Sequence, residues 1–217
     1  MTAMAAGSRA PIARLGAGMT ASAPSMLLGL LLWMGIAAPF VPLTARAAPL
    51  DETTVHAAYV INFVRYSRWP RLAPGAPLVI ATLGGSEAAE ALRGLASRAG
   101  QVEGHPLEVR PLALARVPPS LEEAMTVIGA EAADAQLVFV DADHRAWNRA
   151  VIAALAGRPV LTVGMGSEFV AGGGMFGLVN REGRVVFTAN KEAIARNPVD
   201  VSARVLMLAR PLEPGGD

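Results

Sequence analysis

The chain contains no cysteine. That excludes disulfides, thiolate nucleophiles and cysteine-based zinc or iron–sulfur sites. It says nothing against export, because an oxidising compartment permits disulfides without requiring them. Histidine is scarce too: His56, His105 and His144 fall in different predicted elements with no paired spacing. No signature for a flavin, a nicotinamide or a metal cofactor is present. No repeat at a period of 20–50 residues is visible, which excludes a solenoid. No basic run occurs after residue 47, so a nucleic-acid partner has no electrostatic footprint to bind.

What is present first is a leader. Residues 1–24 carry only Arg9 and Arg14 as charges, and Ser25 to Ala38 is an uncharged apolar run. Pro39, Pro42 and then Ala45-Arg46-Ala47 follow. A basic start, a short apolar stretch and an A-x-A site define a secretory signal peptide. A start at Met19 or Met26 would remove both early arginines. A membrane anchor would need about 20 apolar residues, and this run is shorter. We expect cleavage after Ala47, a periplasmic product, and one domain over residues 48–217. Removing 47 of 217 residues leaves 170, enough for a self-sufficient core. The leader takes three arginines and no acid with it, leaving 16 basic and 18 acidic residues, a net charge of −2.

The periodicity then predicts an α/β domain, with a mostly parallel sheet flanked by helices and a C-terminal antiparallel hairpin. A helix is expected over Asp51–Trp69, with Val55, Tyr59, Asn62, Phe63 and Tyr66 on its buried stripe. Leu78–Leu83, His105–Leu112, Leu137–Val140 and Pro159–Val163 read as strands, alternating with helices over Ser86–Arg98, Leu121–Ala133 and Arg145–Ala156. Met175–Val179 and Arg184–Ala189 form the hairpin, linked by Asn180 to Gly183. Asn190 caps a helix over Lys191–Arg196. Val201, Val205, Leu208 and Ala209 make a last amphipathic stripe before Pro211, and residues 213–217 fray.

Three places invite chemistry. Gly84-Gly85-Ser86-Glu87-Ala88 approximates the G-x-S-x-G nucleophile elbow, and Asp141, Asp143 and His144 follow in hydrolase order. Only one helix precedes this turn, where hydrolases of that fold place several strands, and a serine N-cap explains Ser86 more simply. The same Gly84, Gly85, Ser86 turn could hold a small anion on helix N–H groups, although it lacks the third glycine of a dinucleotide fingerprint and the lysine of a P-loop. Asp141, Asp143 and His144 are a candidate ligand cluster without EF-hand spacing, or a solvated loop capping the next helix. Gly172-Gly173-Gly174 allows a hinge or a close backbone approach. We therefore expect no enzyme and no cofactor.

The order of several pieces resembles the YfiR family. They are Asn62-Phe63 with Trp69-Pro70, Leu83-Gly84, Val140-Asp141, the Pro159 to Val163 strand, and Gly172-Gly173 with Met175. The last is Phe187 and Asn190 followed by Ser202, Arg204, Leu206, Leu208, Ala209 and Arg210. The resemblance spans about residues 51–210. It implies a small periplasmic α/β protein that binds the periplasmic sensor domain of an inner-membrane diguanylate cyclase and holds it inactive. It also implies an outer-membrane lipoprotein that can sequester the regulator, and a possible homodimer. Redox control through cysteine pairs, a trait of the named member, cannot apply to this chain. For the partner surface we single out Arg65, Tyr66, Arg68 and Trp69, since Tyr, Trp and Arg dominate interface hot spots. The alternative role for Trp69 is core packing. Two rival functions stand beside this one: a periplasmic small-ligand binding module and a hydrolase using Ser86.

Overall fold

The computed structural model describes residues 51–114 and 120–212. The leader assigned to residues 1–47 and the tail assigned to 213–217 lie outside the described residues.

The Asp51 carboxylate accepts from the Thr54 N–H at 3.4 Å and starts helix α1, Glu52–Arg65. The helix ends earlier than Trp69. Tyr66 closes it, and Ser67–Arg68 become a short strand, β1. The buried face is also rotated from the expected stripe. His56, Ala57, Val60, Ile61, Phe63 and Val64 are buried, while Asn62 and Tyr66 face solvent. Tyr59 sits at the margin, where its hydroxyl reaches the Val185 carbonyl at 3.1 Å. A phenol must satisfy its O–H, so the centre of the face goes to smaller and fully apolar side chains.

The main sheet has seven strands. They are β2 (Leu78–Leu83), β3 (Gln101–Val102), β4 (His105–Leu112), β5 (Leu137–Val140), β6 (Leu161–Met165), β7 (Phe176–Arg181) and β8 (Arg184–Ala189). Their spatial order is β3-β4-β2-β5-β6-β7-β8. Four pairings, β2 with β4, β2 with β5, β5 with β6 and β6 with β7, are parallel. The edges, β3 on β4 and β8 on β7, are antiparallel. This is the expected mostly parallel sheet with a C-terminal hairpin. The short β3 and the five-residue helix α5 (Ser167–Ala171) were not anticipated. The hairpin link is two residues rather than four: Asn180 and Arg181 pair with Val185 and Arg184, leaving Glu182 and Gly183 at φ 52° and 73°. β6 begins at Leu161 rather than Pro159, because a proline has no N–H to donate to the ladder.

Helices cover both faces. On one side α1 and α2 (Glu87–Ala99) pack over Leu78, Ile80, Leu137 and Phe139. Phe63 stacks on Phe176 at 4.2 Å between ring centres and meets Phe187 edge-on at 5.1 Å. On the other side α3 (Leu121–Glu131), α4 (Asn148–Leu155) and Phe169 of α5 pack over Ala81, Leu83, Val138 and Val140. The helix expected from Arg145 opens instead as a 3₁₀ turn, Ala142–Trp147, before α4 begins. The triple glycine is explained by close approach. A Cβ on Gly174 or on Gly164 would collide with the Phe169 ring.

The chain closes with α6 (Lys191–Ala195), a strand β9 (Asp200–Val201) paired antiparallel with β1, and α7 (Ala203–Leu208). The expected last stripe is only partly buried. Val205 is in the core, but Val201 belongs to β9, Ala209 is half-buried and Leu208 is exposed.

Candidate functional site

Strand order brings the flagged residues to two opposite ends of the sheet. In chain order, the five parallel strands run second-first-third-fourth-fifth across the sheet. The direction of winding reverses between β2 and β5. Open α/β sheets bind ligands outside the carboxyl ends of their strands at such a reversal. The loops leaving those two strands are Gly84-Gly85-Ser86 and Asp141 to His144.

The loops meet through His144. Buried Asp141 presents Oδ1 to two donors, the Asp143 N–H at 3.1 Å and His144 Nδ1 at 2.6 Å. Nδ1 therefore carries a proton toward the carboxylate, and the imidazole is fixed with Nε2 facing the other loop. There Gly84, at φ 80°, lies so close that a Cβ would come within 2.8 Å of Nε2. The Thr82 hydroxyl donates to the Gly84 carbonyl at 3.1 Å and holds the turn from below. Ser86 Oγ accepts from the Ala89 N–H at 3.3 Å, which is the N-cap of α2. The residue that pairs with His144 is thus Asp141, three positions back, and not the adjacent Asp143, which is exposed. Sequence reasoning saw both loops but had no signal for their meeting, which depends on β2 pairing with β5.

The second site lies at the amino ends of the strands. Arg65, Tyr66 and Arg68 are exposed, and Arg68 pairs with Glu103 at 3.5 Å. Trp69 behaves differently. It is half-buried against the α1-side core, and its indole N–H donates to the Pro159 carbonyl at 3.0 Å. A cleft of about 170 Å³ opens beside it, walled by Trp69, Leu72, Leu78 and Val102. The four residues proposed as one surface therefore divide: three project into solvent and Trp69 anchors the loop after α1.

Electrostatics single out one further group, His56. It is buried on α1, and desolvation pulls its pKa below the usual histidine value, outweighing the nearby Glu52 and Asp51 carboxylates that act the other way. Its Nε2 lies 3.5 Å from Glu52 Oε1 and has no hydrogen-bond partner among the described residues. Also among the described residues, no group of three or more His, Asp or Glu side chains could hold a metal ion, and no helix is long and apolar enough to cross a membrane.

A conserved domain protein from Vibrio cholerae O1 biovar El Tor shares the fold, with a TM-score of 0.50 at 13% identity, over 74% of this chain and 60% of that one. The ABC domain from Streptococcus pneumonia in complex with L-Trp aligns at a TM-score of 0.48 and 13% identity, over 72% of this chain and 60% of that one. The chain thus spans about 60% of the length of each, and the first likeness speaks to the fold alone. No curated protein matches. The YfiR/HmsC-like family model matches residues 53–210. That match runs from the first turn of α1 to the residue where the chain leaves α7 for the edge of β8, and on its extent the chain belongs to the YfiR/HmsC-like family.

Proposed function

We propose that this protein is exported to the periplasm, where it binds the periplasmic sensor domain of an inner-membrane diguanylate cyclase and holds the enzyme inactive. Cyclic di-GMP falls, and biofilm formation with it. An outer-membrane lipoprotein that sequesters the regulator would release the cyclase. The observation that carries this reading is the family match across residues 53–210. The mechanism needs no catalytic residue in this chain. A regulator that binds only the inactive cyclase conformation shifts the population by its differential affinity. Moving the balance from 1:99 to 99:1 takes about a 10⁴-fold preference.

The test is cellular cyclic di-GMP in a deletion strain, complemented either with the full chain or with a version lacking residues 1–47. A rise on deletion, reversed only by the exported form, is the expected result. An unchanged level on deletion removes the signalling role.

A second reading has its own observation, the convergence of Gly84–Ser86 with Asp141–His144 at the winding reversal. As a small-ligand binding module, the protein would melt higher when its ligand is added. No shift across a broad metabolite panel would remove that reading.

A further inference from the structure

Among the described residues, four large apolar side chains stand out in solvent: Met207 at 76% exposure, Leu208 at 72%, Tyr66 at 45% and Leu212 at 42%. Scattered singly, such residues need no explanation. These four lie on two segments that the backbone joins, the end of α1 and the stretch from α7 to Leu212. The β1–β9 pairing and the bond from the Ser202 N–H to the Tyr66 carbonyl, 2.9 Å, set the end of α1 against the start of α7. The Arg210 N–H donates to the Phe187 carbonyl at 2.8 Å, which seats the exit of α7 on the outer edge of β8. Helix α7 therefore runs from Tyr66 to that edge. Val205 faces the core, and Met207 and Leu208 face out.

Charge says what kind of molecule covers the patch. Arg65, Arg204 and Arg210 are exposed on the same segments, and none of them has a carboxylate partner among the described residues. Only Asp200 adds an acid on β9, and it lies opposite Arg68 in the β1–β9 register. Two copies meeting through this patch about a twofold axis would set like charges against each other. A partner with an apolar centre and an acidic rim would not. The partner also docks through side chains rather than as an added strand. The outward carbonyls of β8 at Val185 and Phe187 already accept from the Tyr59 hydroxyl and the Arg210 N–H.

We propose that the face formed by Tyr66, Met207 and Leu208 is the surface on which the cyclase docks, and that the docked segment is apolar and flanked by Asp or Glu. This rests on the regulatory reading above and places its interface on α7 rather than on Trp69. A central hot spot of this type loses at least about 30-fold in affinity when removed, or about 2 kcal/mol.

The experiment is complementation of the deletion strain with exported variants at matched periplasmic levels, reading cyclic di-GMP. Met207→Asp with Leu208→Asp should leave the level as high as in the deletion strain, with a melting temperature within a few degrees of the parent. Should that pair melt much lower, Met207→Gln and Leu208→Gln, each made singly, take its place with the same expected direction. Glu123→Lys, on exposed α3, should restore the parental level. Arg204→Glu should restore repression less well than Arg204→Lys; equal behaviour of those two overturns the acidic rim. Full repression by the folded Met207/Leu208 variants overturns the surface while leaving the regulatory reading intact. No rise in the deletion strain itself overturns that reading and the inference together. Sedimentation supplies the last arm: a parental dimer that the double variant turns into a monomer would mean that a second copy, not the cyclase, occupies the patch.

Discussion

Replacing Trp69 separates an anchor from an interface residue. The indole contributes in two ways. Its N–H donates to the Pro159 carbonyl at 3.0 Å, and its rings pack on the α1-side core with Leu72 and Leu78 nearby. Trp69→Phe keeps most of the packing and removes the hydrogen bond, which costs about 0.5–1.5 kcal/mol. Trp69→Ala removes both. Full burial of a large aromatic would make that loss about 3–5 kcal/mol, and a half-buried ring should lose roughly half as much. For a domain of this size, about 1 kcal/mol moves Tm by ~2–4 °C. Trp69→Phe should therefore lower Tm by about 2–4 °C and Trp69→Ala by about 5–10 °C. Differential scanning calorimetry on the purified protein reads both. Repression of cyclic di-GMP, measured at matched folded protein, should survive in each variant. Unchanged melting with lost repression would refute the argument and return Trp69 to the partner surface.

Other perturbations test other parts of the molecule. Gly84→Ala should destabilise by roughly 1–3 kcal/mol, since it combines a left-handed φ with a contact of 2.8 Å to His144 Nε2; adding His144→Ala should recover the steric part in thermal melts and leave the backbone part. Burial lowers the His56 pKa, so below about pH 6.5 the unfolded chain takes up the proton more readily than the folded one and stability falls as pH drops. Melting followed between pH 8 and pH 5 should show that slope in the parent and a shallower one in His56→Leu; equal slopes would sink the assignment. Glu182→Asn should stabilise by about 0.5 kcal/mol in denaturant titration, because Glu182 sits at φ 52° in a two-residue hairpin link where Asn-Gly is the favoured pair.

The central strands were legible because each is a short, continuously apolar run, bounded by Pro77 and Gly84 in one case and by Gln136 and Asp141 in the other. Leu78–Leu83 and Leu137–Val140 are buried at every position, as a parallel strand covered on both faces must be. The helix caps at Ser86 and Asn190 were equally readable, since a small oxygen-bearing side chain before a helical run has one dominant use. The switch-point contact was not. Each loop announces itself by composition, but which carboxylate takes His144 depends on the 3₁₀ turn over Ala142–Trp147, and which glycine meets it depends on strand order. The orientation of α1 was also hidden. An aromatic stripe and an aliphatic stripe run side by side along it, and tertiary packing against Phe176 and Phe187 chose between them.

The C-terminal segment shows why the candidate surface escaped the sequence. Spacing alone places Val201, Val205, Leu208 and Ala209 on one face, provided the helix runs unbroken from Val201. It does not. Asp200 and Val201 are taken by β1, so α7 starts at Ala203, and Arg210 is drawn onto β8 immediately after the helix ends. A six-residue helix pinned at both ends has its rotation set by those pins and by one core residue, Val205. Leu208 is then turned outward whatever its hydrophobicity prefers, and Met207 goes with it. Two large apolar side chains left more than 70% exposed on a short helix contribute almost none of their burial free energy to folding. A partner docked on α7, as proposed above, would recover the burial free energy that these pins leave unused.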